Sequence, residues 1–300
     1  MTIQATNQEF QLFREFIEEK SGIFLGDNKK YLIENRLSPI VQKNSCRSYL
    51  ELYLKLKKVN DSNPLMIDVV EAMTTNETLW FRDQYPFRIL SETILPAYMR
   101  EIQSGKRKKV SIWSSGCSTG QEPYSIAMTV MDYYQRKGLA NQCKEQLSIL
   151  ATDLSESIIG QAKQGQYNHF TMQRGMPSTF YQKYFTQRQN MWVLNQEIKE
   201  LVTFKMFNLQ ASLEGLGVFD VIFLRNVIIY FSDSFKRDLF NRLSKILTNE
   251  GYLFLGTGET VTGYTEKYNI IDNRTAVYYQ LKQQGCDHGK FFLPRDVPQK

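Results

Sequence analysis

Residues 113–124 combine glycines, hydroxyls and an acid in a pattern that suits a ligand-binding turn. The segment reads Trp-Ser-Ser-Gly-Cys-Ser-Thr-Gly-Gln-Glu-Pro-Tyr and lies between an apolar run and a helical pattern. Gly116 and Gly120 would let the backbone approach a ligand closely, and the helix N-terminus that follows favours anions. Pro123 suits the first helical position, where its missing N–H costs nothing. The next apolar run ends in Asp153, and an acid there can accept hydrogen bonds from both ribose hydroxyls of an adenosine ligand.

The same turn also fits G-x-S-x-G, the nucleophile elbow of serine hydrolases, with Ser118 as the nucleophile. That chemistry needs a histidine base, in the chain order Ser, Asp, His. The chain has only two histidines, His169 and His288. His169 comes too early for that order, His288 lies in a polar tail, and the helix signal at Pro123 begins well after the serine. The sequence therefore disfavours a hydrolase, and two histidines exclude a His-rich metal site.

Two further stretches carry arginines that could bind a ligand. Arg225-Asn226 follows the apolar run Phe219–Leu224, at the strand edge where ligands bind in open α/β sheets. An arginine buried there needs a partner. The stretch 74–83 reads Thr-Thr-Asn-Glu-Thr-Leu-Trp-Phe-Arg-Asp, and its Arg82 could hold a carboxylate by a bidentate bond.

Helical patterns fill the first hundred residues and must position the stretch 74–83. Thr6 and Glu9 have capping-box spacing, and the run that follows stops at Gly22. Pro39 is expected to interrupt a second helical stretch. A last helical run over roughly 84–103 precedes a basic cluster at 106–109, which is read as a solvated linker.

From residue 110 onward, short apolar runs alternate with helical patterns, which predicts an α/β domain with a parallel sheet covered by helices on both faces. A segment at 270–281 is expected to add an edge strand. The apolar runs are Val110–Trp113, Leu147–Thr152, Val202–Phe207, Phe219–Leu224 and Tyr252–Leu255.

Together these motifs resemble the chemotaxis-receptor glutamate O-methyltransferases (CheR-type), which use S-adenosylmethionine. The resemblance covers roughly residues 8–282. It rests on Thr75-Asn76-Glu77-Thr78 with Phe81-Arg82-Asp83, Trp113 through Tyr124, Ala151-Thr152-Asp153, Asn208-Leu209, and Leu224-Arg225-Asn226-Val227 with Ile229-Tyr230-Phe231. Trp80 and Leu224 depart from the usual Phe and Cys of these motifs, and both replacements keep apolar character.

The resemblance implies a Rossmann-like, seven-stranded methyltransferase domain joined to a small all-helical N-terminal domain, with the cofactor between them. On this basis we expect the helical domain at 1–83, a connecting helix and linker at 84–109, and the methyltransferase domain at 110–282. A small β-subdomain is expected near 184–199, and a polar C-terminal tail at 283–300.

The resemblance also assigns site residues. Arg82 and Tyr230 would lie nearest the transferred methyl group and are the predicted catalytic residues. A glutamate acceptor has a reference pKa near 4.3, so it is ionised at neutral pH and needs no general base. We therefore expect Arg82 to orient the acceptor carboxylate and Tyr230 to shape the methyl pocket. Cofactor contacts are expected from Asn76, Thr78, Arg82, Glu122, Asp153, Asn208, Leu209, Arg225 and Asn226.

The implied cofactor is S-adenosyl-L-methionine, with S-adenosyl-L-homocysteine as product and no metal. The implied partner is the cytoplasmic helical bundle of chemoreceptors, together with a receptor C-terminal peptide in many family members. The β-subdomain stretch 184–199 contains no glycine. We expect no direct membrane insertion, because no apolar run is long enough to span a bilayer. The four cysteines include no close pair, which indicates a reducing compartment, so we expect a cytoplasmic protein. A monomer and no nucleic-acid partner are also expected.

Two alternatives stay open on the residues alone. One is an S-adenosylmethionine-dependent nucleic-acid methyltransferase, whose affinity for nucleic acid would fall steeply as the salt concentration rises. The other is a non-catalytic domain that binds the cofactor as a sensor, although the presence of Arg82 and Tyr230 argues against it.

The net charge of +6 is local. Residues 29–58 hold eight basic and two acidic side chains, and the rest of the chain balances. A basic face there would suit an acidic receptor bundle, and charge reversal at Arg36 and Arg47 would test this. A solvated helical face explains the same charges.

Overall fold

A computed structural model describes residues 3–272 and 276–283 of the chain. The polar tail expected at 283–300 therefore lies outside the described residues, apart from Gln283. The N-terminal part contains four helices, α1 Asn7–Ser21, α2 Lys30–Lys43, α3 Tyr49–Leu56 and α4 Pro64–Met73. Their apolar faces share one buried core that includes Phe13, Ile17, Ile33, Leu37 and Leu52.

The start and the end of α1 follow the sequence signals. Thr6 and Glu9 form a complete capping box, and Gly22 ends the helix in the left-handed conformation with φ of 76°. The interruption expected at Pro39 is wrong, because α2 continues through this residue. Pro39 and Asn35, four residues before it, are both exposed. Water can therefore satisfy the carbonyl that loses its helical donor.

A long connecting helix joins the two parts of the chain. It comprises α5 Tyr85–Ile89, a π-helical turn at Leu90–Ile94, and α6 Leu95–Gln103. Pro96 is the second residue of α6, next to the π turn. Since proline has no N–H to donate, the wider turn falls where the regular α-helical ladder is already broken.

The central sheet has seven strands in the order β6-β2-β1-β7-β8-β10-β9. Its alternate residues face two different cores: Ile112 of β1 packs in the core that contains α6 and the helix after β1, whereas Trp113 packs with Leu239 and Phe240. Helices therefore cover both faces, as the sequence predicted. In chain order the strands of this sheet are β1 Val110–Ser115, β2 Leu147–Asp153, β6 Val202–Met206, β7 Phe219–Leu224, β8 Leu247–Leu255, β9 Tyr268–Asp272 and β10 Val277–Leu281.

The α/β fold class and its seven-stranded sheet are confirmed, with one correction to the strand directions. The first five strands in the sheet order are parallel, but β10 pairs antiparallel with both β8 and β9. The sheet is therefore mixed. The edge strand is β9, and β10 lies between β8 and β9. The short connection from β9 to β10 explains this, because a parallel return would need a crossover of a dozen or more residues.

A second, three-stranded antiparallel sheet lies outside the central one. Its strands are β3 Gln166–Asn168, β4 Phe185–Arg188 and β5 Met191–Leu194, in the order β3-β5-β4. Trp80, from the segment before the connecting helix, packs edge-to-face on Tyr167 of β3 and Phe185 of β4. This small sheet is thus attached to the stretch that carries Arg82.

The remaining helices are α7 Gln121–Arg136, α8 Cys143–Gln146, α9 Glu156–Gln164, α10 His169–Gln173, α11 Ser178–Tyr184, α12 Gln196–Lys199 and α13 Asp233–Ile246. The start of α7 corrects an expectation: the helix begins at Gln121 after a left-handed Gly120, so Pro123 is its third residue. A proline is tolerated there because the first-turn N–H groups have no helical acceptor. Within the described residues, no helix has the length and apolarity to cross a membrane.

Candidate functional site

A cleft runs along the carboxyl edge of the central sheet, and the N-terminal helices cover it. Residues from α4, the 74–82 segment and the ends of β1, β2, β6 and β7 line it. The cleft brings together every residue that the sequence analysis singled out for the site: Asn76, Thr78, Arg82, Glu122, Asp153, Asn208, Leu209, Arg225, Asn226 and Tyr230.

The turn after β1 forms the floor of the cleft. Gly116 has a φ of 68°, and a Cβ atom there would lie 2.4 Å from Val227 Cγ2, so only glycine fits. Ser118 is also left-handed, with φ of 48°. Two hydrogen bonds hold it: its N–H donates to Asp153 Oδ2 at 2.8 Å, and its hydroxyl donates to the Asn76 carbonyl at 2.8 Å. The turn therefore joins the tip of β2 to the 74–82 segment.

Asp153 lies at the end of β2 with 8% of its surface exposed. Burial raises the pKa of its carboxyl group above the ordinary value, and hydrogen bonds from the backbone N–H groups of Ser118 and Ser155 partly oppose that shift. A buried carboxylate without a cation partner is a strong acceptor for a ligand hydroxyl.

Arg225 is the centre of a buried charge cluster. Only 1% of its side chain is exposed, and it donates to Glu122 Oε2 at 2.8 Å and Asp83 Oδ2 at 2.7 Å. It also donates to the carbonyl of Arg82 at 2.9 Å. Burial lowers the pKa of Arg225, but the charges of Glu122 and Asp83 raise it more, so the guanidinium stays charged. The other oxygen of Glu122, Oε1, accepts from the Ser114 hydroxyl at 2.9 Å. Most of the donors of Arg225 and both carboxylate oxygens of Glu122 are therefore occupied within the protein.

The backbone around Arg82 is held in an uncommon conformation. Phe81, Asp83 and Gln84 have φ values of 46°, 64° and 52°, which are unfavourable for residues with a side chain. The bonds from Arg225 to Arg82 and Asp83 fix this turn from one side, and Phe81 stacks on Phe180 from the other. The Arg82 side chain itself is half-buried and forms no hydrogen bond or ion pair with any described residue.

The remaining predicted residues differ in how many of their polar side-chain atoms are already hydrogen-bonded within the protein. The Asn208 side chain donates to the carbonyl of Lys20 and accepts from the N–H of Gln210, so its polar atoms tie β6 to the end of α1. Asn76 has a weak bond to Thr74 Oγ1 at 3.3 Å. The hydroxyl of Thr78 has no partner among the described residues, and it faces the same cleft.

The loop after β7 carries Tyr230 and is held from two directions. Asn226 opens it in the left-handed conformation, with φ of 59°. From the N-terminal domain, Phe24 N–H donates to the Tyr230 carbonyl at 2.7 Å, and Ile23 forms an antiparallel bridge with Phe231. Tyr230 packs against the cores of both domains.

The residues present fit S-adenosylmethionine. Asp153 offers a buried acceptor at the tip of β2, as a ribose diol requires. Two buried polar atoms of the cleft, Ser115 Oγ and Arg225 Nε, have no hydrogen-bond partner in residues 3–272 and 276–283. Buried polar atoms are rarely left unpaired, so a ligand that carries polar groups suits them. Gly116 provides the close backbone approach.

The structure also argues against a serine hydrolase site at this turn. The hydroxyl of Ser118 is bonded to the Asn76 carbonyl, and His169 is exposed on α10, where its ring contacts Gln173. His169 does not line the cleft, and no described group of three His, Cys, Asp or Glu residues is placed to hold a metal ion.

Sequence reasoning missed two acids that bind the backbone around the cleft, Glu71 and Glu259. Glu71 of α4 accepts hydrogen bonds from Ser155 and Ser157, and Glu259 accepts from the loop after β7. No nearby residue in the sequence indicates either role, because these hydrogen-bond partners of both acids are distant in sequence. The glycines of the run Gly-Thr-Gly-Glu at 256–259 indicate only a turn.

Comparison with known proteins agrees with this arrangement. Residues 8–74 match the family model described as CheR methyltransferase, all-alpha domain, and residues 76–277 match CheR methyltransferase, SAM binding domain. The chain is 39% identical to Chemotaxis protein methyltransferase Cher2 of Pseudomonas putida, over 92% of this chain and 98% of that protein. It is 39% identical to Chemotaxis protein methyltransferase 1 of Pseudomonas aeruginosa, over 93% of this chain and 100% of that protein.

A relative from a second genus gives the same result. The chemotaxis protein methyltransferase of Vibrio anguillarum is 40% identical, over 93% of this chain and 99% of that protein. The two family models cover both the helical roof and the sheet edge that form the cleft. This chain belongs to the CheR methyltransferase family and is an S-adenosylmethionine-dependent methyltransferase.

Proposed function

We propose that this chain transfers the methyl group of S-adenosylmethionine to glutamate side-chain carboxylates of chemoreceptors and forms glutamyl methyl esters in chemotactic adaptation. The observation that carries the proposal is the side chain of Arg82, which lines the cofactor cleft and has no partner among the described residues. An arginine with free donors matches a carboxylate acceptor, because its planar fork can form two parallel hydrogen bonds. The names of the relatives support the receptor as the substrate.

The acceptor chemistry fits a site without a histidine. A glutamate with a reference pKa near 4.3 is already ionised at neutral pH. The site has to align this carboxylate and exclude water, and it has no proton to remove. Arg82 orients the carboxylate, and Tyr230 shapes the pocket in which the methyl group passes.

The cofactor is held by residues of the cleft. Asp153 accepts from the ribose hydroxyls, and Asn208 and Leu209 line the adenine end, while Arg225 and Asn226 line the methionine end. Asn76, Thr78 and Glu122 complete the set. S-adenosylmethionine supplies, when bound, a methyl group activated by its sulfonium charge. The charge of Arg225 is balanced by Glu122 and Asp83, so Arg82 supplies the available positive charge for the acceptor carboxylate.

The test is transfer of labelled methyl from S-adenosylmethionine to membranes that contain chemoreceptors, with RNA as a competing substrate. Base-labile label in a receptor band supports the glutamyl ester. Label in RNA would support a nucleic-acid methyltransferase, and cofactor binding without label in either would support a sensor.

Arg82→Ala tests the role of the side chain. Loss of a charge-assisted bidentate bond should lower kcat/KM for receptor by about 10- to 100-fold, while the affinity for S-adenosylhomocysteine changes less. Arg100→Ala is the matched control, because Arg100 is exposed on α6 away from the cleft. Wild-type turnover of Arg82→Ala on receptor would refute the assignment.

The three-stranded sheet offers a docking position for a second part of the receptor. We assign the docking of a receptor C-terminal peptide to the three-stranded sheet, where β4 is an edge strand that an extended peptide can extend. Isothermal titration with a synthetic receptor C-terminal peptide tests this, and the absence of heat would leave the helical bundle as the sole docking element. The enzyme acts as a cytoplasmic monomer on the cytoplasmic receptor bundle.

A further inference from the structure

Glu259 is a buried acid that the proposed chemistry does not use. Its exposed fraction is 9%, and it forms no ion pair with any described Lys or Arg. Four backbone N–H groups surround its carboxylate instead. Oε2 accepts from Asn226 at 2.7 Å and from Gly256 at 2.7 Å, and Oε1 accepts from Val227 at 2.9 Å and from Ile229 at 3.2 Å.

Three of these four donors belong to the loop that follows β7. Successive N–H groups that converge on one point form a concave anion site, and here the chain fills that site with its own carboxylate. The arrangement satisfies N–H groups that would otherwise be buried without partners after the strand ends. The conformation of the loop therefore depends on a charge supplied by a residue about thirty positions later in the chain.

The fit around the carboxylate leaves no room for adjustment. A Cβ atom at Gly256 would lie 2.6 Å from Asn226 Nδ2 and 2.8 Å from Glu259 Oε2. On the other side of the loop, Val227 packs on Gly116 of the turn after β1. The carboxylate thus joins the ends of β7 and β8, and Val227 joins the loop after β7 to the turn after β1.

We propose that Glu259 is a positioning residue for methyl transfer: its carboxylate folds the loop after β7 into the shape that presents Asn226 and Tyr230 to the cleft. The proposal rests on the function proposed above, since it gives Glu259 its effect through two residues of that site. Glu259 does not line the cleft itself.

Glu259→Gln is the sharpest variant, because it keeps the shape and replaces one acceptor oxygen by an NH₂ group. Each carboxylate oxygen accepts two N–H donors, so either orientation of the amide sets a donor against two donors. We expect kcat for receptor methylation to fall about 10- to 100-fold and the Kd for S-adenosylhomocysteine to rise about 10-fold. Glu259→Asp keeps the charge and should retain part of both.

Glu9→Gln is the matched control. Glu9 is also a buried glutamate that accepts from backbone N–H groups, those of Thr6 and Leu50, but it lies inside the N-terminal domain. We expect this variant to lower the Tm while kcat and the Kd for S-adenosylhomocysteine stay within about twofold of wild type. If Glu259→Gln behaves in the same way as this control, Glu259 is only a stabilising residue and the proposal is wrong.

A measurement on the wild-type protein covers the case in which the Glu259 variants do not fold. Amide hydrogen exchange at Asn226, Val227 and Ile229 should be slow before any ligand is added, because the carboxylate already holds these N–H groups. Fast exchange there in the free protein would overturn the proposal.

Binding of S-adenosylhomocysteine and amide exchange need no receptor. Failure of the receptor assay together with slow exchange and a Glu259-dependent Kd would therefore refute the proposed substrate and leave the structural role of Glu259 intact.

Discussion

Arg82 and Arg225 lie on the same cleft, but their charges differ in availability. Arg225 is neutralised by Asp83 and Glu122, whereas the Arg82 side chain has no partner in the described part of the chain. Asp83 is adjacent to Arg82 in sequence, yet it pairs with the distant Arg225 because the turn at 81–84 points the two neighbours in different directions. This pairing keeps Asp83 from neutralising the arginine that is expected to bind the substrate carboxylate.

Asp153 allows a prediction about pH. Its pKa is raised by burial, so the folded protein binds this proton more tightly than the unfolded chain does. Ionised Asp153 therefore reduces stability above its folded pKa; this cost begins to shrink as the pH falls through the folded pKa and is gone below the pKa of the unfolded chain. Ribose binding has the opposite dependence, because it needs the ionised acceptor. We expect the affinity for S-adenosylhomocysteine to decrease on acidification at a pH above the ordinary range of an aspartate.

Isothermal titration over a pH series, with Asp153→Asn as the reference, checks this. The variant should bind about 10- to 100-fold more weakly at neutral pH, and the acid-dependent loss of affinity seen in wild type should be absent. An identical pH dependence in both proteins would assign the titration to another group.

At the scale of elements, α4 of the N-terminal domain is joined to α9 of the methyltransferase domain through one carboxylate. Glu71 Oε1 accepts from Ser155 Oγ at 2.6 Å and from Ser157 N–H at 3.2 Å, and Oε2 accepts from Ser157 Oγ at 2.8 Å. Ser155 is also the N-cap of α9. An acid at a helix N-terminus is favourable, and here it comes from another domain.

Glu71→Ala should therefore weaken the contact between the domains and loosen the segment that begins at Asp153. We expect the free energy of unfolding to fall by about 1–3 kcal/mol. The pKa of Asp153 should also fall, because Glu71 repels its ionised form. The two effects are separable by denaturant titration and by the pH dependence of S-adenosylhomocysteine binding. Glu51→Ala is the control, since Glu51 binds Arg47 within the N-terminal domain; an equal pH shift in both variants would contradict the prediction.

Sequence reasoning succeeded for elements whose signals are local. The capping box at Thr6 and Glu9 and the left-handed Gly22 are set by neighbouring residues, and α1 follows them. It failed at Pro39 and at β10, because the tolerance of an exposed proline and the direction of a returning strand depend on tertiary context. For the cleft, the motifs identified its residues, but the pairing of Arg225 with Asp83 joins positions 142 apart and has no local signal.

At the scale of the whole molecule, Arg36 and Arg47 of the basic face are both bonded within the protein, so they are poor positions for testing a docking surface. Arg36 donates to the carbonyls of Met73 and Thr74 and to the hydroxyl of Thr75, so it supports the wall of the cleft. Arg47 pairs with Glu51. Charge reversal at Arg36 would therefore disturb the cofactor site as well as any docking surface. The exposed lysines at the end of α3 test docking more cleanly.

We expect the double variant Lys57→Glu and Lys58→Glu to raise the KM for receptor by about 3- to 10-fold at low salt, with a smaller effect at high salt because screening weakens the attraction. The affinity for S-adenosylhomocysteine should not change. Steady-state kinetics at several salt concentrations provide the measurement.

The double variant Lys108→Glu and Lys109→Glu is the control, since both lysines are exposed in the linker before β1. If the two double variants raise KM equally, the effect follows from net charge and α3 is not a docking surface.

The two-sided support of the loop that carries Tyr230 has a consequence for biosynthesis. The Tyr230 carbonyl accepts from the Phe24 N–H, and the N–H groups of Asn226 and Val227 donate to Glu259. The loop therefore needs residues that are synthesised both before and after it. Chains emerge from the ribosome N-terminus first, and domains fold as they appear. A nascent chain can complete its helical domain early, but it acquires a closed methyl-transfer site only after residue 259 has left the exit tunnel. We therefore expect translation products that end before residue 259 to lack receptor methyltransferase activity.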